Sequence, residues 1–141
     1  MRVLIVATAL TLTGCATGMV PTEVRAVQDF VVLTELNRVD RIRLYRQPVF
    51  TYVNDYFVTA SIADRHYLIE FNGRCRALKA KGLSVSTIDY RQDASYLKVP
   101  DTIRGCNIEK IFEATVEQLL EIKELSKSEA DGGRVPATAQ I

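Results

Sequence analysis

The densest grouping of chemically useful side chains in the chain is D101-T-I-R-G-C106, which sets a carboxylate, a guanidinium, a glycine and a thiol within six residues. Asp101 and Arg104 stand three apart, a spacing that suits an ion pair closed across a turn, bidentate where geometry permits. Two readings follow. Arg104, joined by Arg41 or Arg43, would be an anion or carboxylate site; alternatively, Asp101 and Arg104 form a structural clamp with Gly105 supplying a backbone shape other residues resist. The thiols Cys75 and Cys106 could serve as a disulfide, as metal ligands, or as a nucleophile activated by the lone histidine, His66. A structural zinc site needs about four ligands, more than one His and two distant Cys provide. A Cys-His nucleophile needs His66 beside a thiol and a third orienting group. No Gly-rich phosphate loop, nucleophile elbow, metal constellation or acidic dyad is present in the sequence, so no cofactor and no enzymatic activity are expected.

Which role the thiols take depends on the compartment. The first residues carry one Arg, an uncharged and largely apolar run from Val3 to Leu12, then small residues. This is the pattern of a secretory signal peptide over residues 1–14, with a run too short for a membrane span. The junction L12-T-G-C15 resembles the lipobox of bacterial lipoproteins. That resemblance implies lipidation of the Cys15 thiol, cleavage just before it, and a lipidated tether over residues 15–21. Ala16 follows the cysteine rather than the Asp that retains such proteins in the inner membrane, so the resemblance implies the periplasmic leaflet of the outer membrane. With Cys15 acylated, Cys75 and Cys106 remain to pair in an oxidising compartment.

The elements that must position these groups read as an α+β domain over residues 22–127, a small, mostly antiparallel sheet with an N-terminal and a C-terminal flanking helix. At 141 residues the chain has room for one substantial core, and its 18 basic and 17 acidic residues show no basic excess of the kind nucleic acid requires. Thr22 is expected to cap a helix running to about Leu36, buried through Val24, Val27, Phe30, Val31, Leu33 and Thr34. Strands are expected at Arg41–Arg46, Tyr56–Ile62, Arg65–Phe71, Leu83–Ile88, Ser95–Val99 and Cys106–Phe112. A tight turn at Ala63-Asp64 joins the second and third, and a short helix or turn follows Cys75. Thr115 and Gln118 have capping-box spacing ahead of a helix over Val116–Lys127, carried by Leu119, Leu120, Ile122 and Leu125. Residues 128–141 read as a disordered tail. The aromatics Tyr45, Phe50, Tyr52, Tyr56, Phe57, Tyr67, Phe71 and Tyr90 suit core packing, with a ligand groove as the alternative.

The stretches V39-D-R-I-R43, Y67-L-I-E-F-N-G-R-C75 and D101-T-I-R-G-C-N-I108 together resemble an uncharacterised family of small bacterial lipoproteins, a domain of unknown function. The resemblance spans about residues 25–125 and matches Cys75 and Cys106 to that family's two cysteines, which implies a disulfide. It brings no activity with it. The expected partners are a membrane through the lipid and an envelope protein. The alternative is a small periplasmic ligand-binding protein or enzyme built on Arg104 and Asp101.

Overall fold

The computed structural model describes residues 21–79 and 95–130. The expected signal peptide and tether, Cys15, the expected Leu83–Ile88 strand, Tyr90 and residues 131–141 lie outside them. Helix α1 (Thr22–Leu33) leads into strands β1 (Arg38–Val39), β2 (Arg41–Arg43), β3 (Val49–Asn54), β4 (Phe57–Ile62) and β5 (Arg65–Phe71). A single 3-10 turn (Arg76–Lys79) follows. Strands β6 (Tyr96–Lys98), β7 (Thr102–Ile103) and β8 (Cys106–Ala114) then run into helix α2 (Val116–Ala130). The main sheet has the order β1-β8-β5-β4-β3, with β7 also paired to β8, and every pairing is antiparallel. Strands β2 and β6 form a separate two-stranded ribbon. The α+β class and the two flanking helices are as the sequence indicates.

Strand alternation divides the core into two layers. One face of the sheet presents Phe57, Leu68 and Phe112 to Val24, Val27 and Phe30 of α1 and Ile122 of α2. The other presents Phe50, Val58, Ile69, Phe71 and Ile111, covered by Ile42 and Leu97 of the ribbon and Leu78 of the 3-10 turn. The aromatics are shared between these layers, with Tyr56 and Phe57 in one and Phe50, Tyr52, Tyr67 and Phe71 in the other. These six described aromatics therefore do not share one face of the sheet.

Both helices differ in detail from expectation. Pro21, not Thr22, stands at the α1 N-cap and no side chain caps it; its fixed φ of −51° presets the start. The helix stops at Leu33 because Glu35 adopts φ 50°, and the Leu36 amide bonds the Val31 carbonyl while Glu35 bonds Val32. That is a Schellman ending with a non-glycine at its left-handed position. Leu33 and Thr34, both expected on the buried stripe, are exposed, Leu33 to 82%. In α2 the capping box forms as read: Gln118 Oε1 accepts from the Thr115 amide at 2.9 Å, and Thr115 Oγ1 accepts from the Gln118 amide at 3.2 Å. The helix continues through residues 128–130, which the sequence had assigned to a tail. Leu120, expected on its apolar stripe, is exposed.

Among the strands, Arg38–Val39, Val49–Asn54 and Thr102–Ile103 were not expected, and the anticipated strand at Arg41–Arg46 shortens to Arg41–Arg43. Cys75 and Cys106 are bonded, with Cα atoms 6.0 Å apart and a sequence separation of 31. Closing a loop of that length stabilises a fold by about 3–4 kcal/mol on chain-entropy grounds. Digestion under non-reducing conditions should yield a Cys75–Cys106 peptide. Replacing both cysteines by Ala should lower unfolding free energy by about 3 kcal/mol; an unchanged denaturation midpoint would show that the bond adds nothing.

Candidate functional site

Arg104 and Gly105 have φ 50° and 79°, and Ile103 pairs with Cys106 across them. Two consecutive positive φ values between paired strands are the sign pattern of a type I′ hairpin turn, where Gly is favoured at the second position. This geometry sends the neighbouring groups apart. Arg104 Nη1 donates to the Ala77 carbonyl in the 3-10 turn at 2.9 Å. Asp101 closes its own turn instead: its Oδ2 accepts from the Lys98 amide at 2.9 Å, and its amide donates to the Lys98 carbonyl at 2.7 Å. The expected Asp101–Arg104 clamp is not among the ion pairs of the described residues.

A clamp does exist, one hairpin away. Asp55 sits in the β3–β4 turn with its side chain only 12% exposed. Its Oδ2 accepts from Arg74 Nε at 2.8 Å and its Oδ1 from the Tyr52 hydroxyl at 2.8 Å. Its carbonyl accepts from the Cys75 amide at 2.7 Å. Asn54 holds the turn from within, its Oδ1 accepting from the amides of Tyr56 and Phe57. The β3–β4 turn is thereby fastened to the residues leading into the disulfide. Burial pushes the Asp55 carboxyl up, but hydrogen bonds from Arg74 and Tyr52, with the charges of Arg74 and Lys79, hold it below its ordinary value.

The second polar centre is Glu70, buried in β5 and directed to the helix side. Gln28 of α1 donates to its Oε1 at 2.7 Å, and Lys110 of β8 approaches its Oε2 at 3.2 Å. Nothing had marked Glu70, Gln28 or Lys110 beforehand. The signal was present in Y-L-I-E-F, where apolar side chains on both sides of the strand leave the carboxylate no wet face. His66 lies at the opposite end of β5 from Cys75. Its Nδ1 is 2.9 Å from Ser61 Oγ on β4, its cross-strand partner. Glu117, at the start of α2, is held low chiefly by its own amide, then by Thr115, with the His66 charge a smaller cause. Both thiols being in the disulfide, the Cys-His nucleophile is not assembled. Among the described residues no cluster of three or more His, Cys, Asp or Glu could hold a metal.

Asp55 has the sign of a group with a depressed folded value: its stabilisation is complete above its ordinary pKa of 3.8 and is lost as pH falls through the lower folded value. Arg74→Met should cost about 1–2 kcal/mol at neutral pH, because it removes a charged donor from a poorly hydrated carboxylate. The deficit should shrink on acidification below pH 3.8. Thermal melting of both proteins across that range checks it; a deficit that does not vary with pH would contradict the Asp55–Arg74 assignment.

No curated protein matches the chain, and no solved structure does. The model described as a family of unknown function (DUF6491) matches residues 1–130, and the chain belongs to that family.

Proposed function

We propose that this protein is an exported lipoprotein, held at the outer membrane's periplasmic leaflet by acyl groups on Cys15, that acts as a non-enzymatic interaction module. The observation that carries the interaction reading is an apolar end of the helix layer. Asn37 Nδ2 donates to Glu113 Oε2 at 2.9 Å, and the Glu113 amide donates to the Asn37 carbonyl at 2.8 Å. These bonds bring the exit of α1 beside the start of α2. There Val32 and Leu33 are 74% and 82% exposed, and Val116 and Leu120 are also exposed. Large apolar side chains left exposed at the adjoining ends of two helices favour a docking role over a purely structural one if they form a contiguous patch. The partner that suits the site is an envelope protein with a complementary apolar surface.

Arg104, Asp101 and His66, the groups an enzyme or ligand-binding protein would have shared, engage three separate partners: the Ala77 carbonyl, the Lys98 amide and Ser61. That dispersal weighs against a catalytic reading. The anchor is supported by the L-T-G-C15 junction, and the disulfide suits an oxidising compartment. Acyl chains contribute ~0.8 kcal/mol per buried methylene, which makes several of them an effectively permanent anchor.

Two measurements test the proposal. Intact mass of membrane-purified protein should show a chain beginning at an acylated Cys15; a different N terminus, or no acyl mass, overturns the anchor. Affinity capture from detergent-solubilised envelopes should retain a protein that is lost with Leu33→Glu/Leu120→Glu, at unchanged thermal stability. Capture unaffected by that variant overturns the docking site, and recovery of only a second copy of this chain would make it a self-association surface.

A further inference from the structure

The β2–β6 ribbon turns Ile42 and Leu97 into the core and exposes Arg41, Arg43, Tyr96 and Lys98. Its register sets Arg41 directly opposite Lys98 and Arg43 opposite Tyr96. The Arg41 guanidinium lies over the Tyr96 ring, 4.8 Å from its centroid. Like charges facing each other weaken an antiparallel pair, whereas an opposite pair would strengthen it. Among the described residues none of these three cations takes part in an ion pair. Asp101, close by in the chain, directs Oδ2 to the Lys98 amide. With 18 basic and 17 acidic residues overall, composition alone does not explain three cations and no carboxylate among the ribbon's four outward residues, Arg41, Arg43, Tyr96 and Lys98. The arrangement works against the ribbon, and a bound anion would reverse that.

The footprint limits the anion. Alternate residues along a strand lie ~6.6 Å apart and facing residues ~5 Å apart, so three cations within that area suit one or two phosphate groups. A nucleic-acid duplex presents a charge about every 1.7 Å and calls for a longer basic track. Guanidinium forks match phosphate oxygens, and a tyrosine beside them is the amphipathic ring favoured at a membrane–water boundary. We infer that the outer face of the β2–β6 ribbon binds the phosphates of anionic lipid headgroups. The source of the phosphate rests on the anchored reading above. Residues 15–21 can span at most about 24 Å, so a lipidated Cys15 would hold the domain within about one domain diameter of the bilayer.

The test uses the mature chain, residues 15–141 carrying Cys15→Ser, so that neither acyl groups nor the apolar leader contributes and the result does not depend on the anchor. Co-sedimentation should show stronger binding to phosphatidylglycerol-containing vesicles than to pure phosphatidylcholine vesicles, weakening as salt is raised. Arg41→Glu/Arg43→Glu should reduce affinity for the anionic vesicles more than about tenfold at an unchanged or raised melting temperature. Should that variant fail to fold, Arg41→Gln/Arg43→Gln provides the same comparison without charge reversal. Equal binding to both vesicles, or binding that neither variant weakens, overturns the inference. Saturable binding of inorganic phosphate that displaces the vesicles would reassign the face to a soluble phosphate ligand. An unacylated native chain would overturn the anchor alone and leave this outcome readable.

Discussion

Burying one carboxylate in the middle of the sheet constrains much of what surrounds it. Glu70 is 5% exposed within β5, whose residues 67–71 are all buried. A charge taken from water must be met by partners or it destabilises the fold by several kcal/mol. Lys110 meets it from the paired strand and Gln28 from the overlying helix. A one-residue slip of β5 would turn Glu70 toward the opposite, wholly apolar layer. Its burial therefore selects the β5–β8 register, in which Glu70 faces Lys110 directly, and it fixes where α1 sits. The irregularity in the ladder comes immediately after, between Glu70 and Phe71, so that Ile108 and Ile111 both reach the ribbon-side core.

The remaining polar groups are largely spent on joining elements. Ser126 of α2 donates to the carbonyl of Val53 at 2.9 Å, at the point where the β3–β4 register shifts. Asp55 ties one hairpin turn to Arg74 and Cys75, and the disulfide carries that tie to the first residue of β8. Among the outward residues are exposed apolar side chains on both helices and the cationic face of the ribbon, and the proposals made above rest on these two surfaces.

Local signals were legible where local chemistry decides the structure. Thr115 and Gln118 satisfy each other across a single turn, Arg65–Phe71 is bounded by Asp64 and by Asn72-Gly73, and the cysteines could be paired by elimination. Signals failed where the outcome depends on distant partners. Arg41–Arg46 reads as one alternating strand, yet only Arg41–Arg43 finds a mate, in β6 more than fifty residues later. Val49–Asn54 has the β-branched and aromatic content of a strand, but Pro48 and the neighbouring turn masked it. The spacing of Asp101 and Arg104 suggested a pair because chain separation was read as spatial proximity. The positive φ values at Arg104 and Gly105 place a hairpin reversal there, and each side chain finds a backbone partner instead. Asp55 was overlooked because a lone aspartate in a turn resembles any solvated one; only the fold brings Arg74 to it.

The measurement that bears most directly on this account is a double-mutant cycle on Glu70→Gln and Lys110→Met, read by denaturant unfolding. Lys110→Met should destabilise the protein by about 1–3 kcal/mol, because it leaves Glu70 buried without its charged partner. Glu70→Gln should cost less, because Lys110 is 29% exposed and keeps Glu109 at 3.8 Å. The double mutant should be less damaging than the sum by at least ~1 kcal/mol. Additivity to within about 0.5 kcal/mol would contradict the claim that this buried pair sets the register on which the sheet is built.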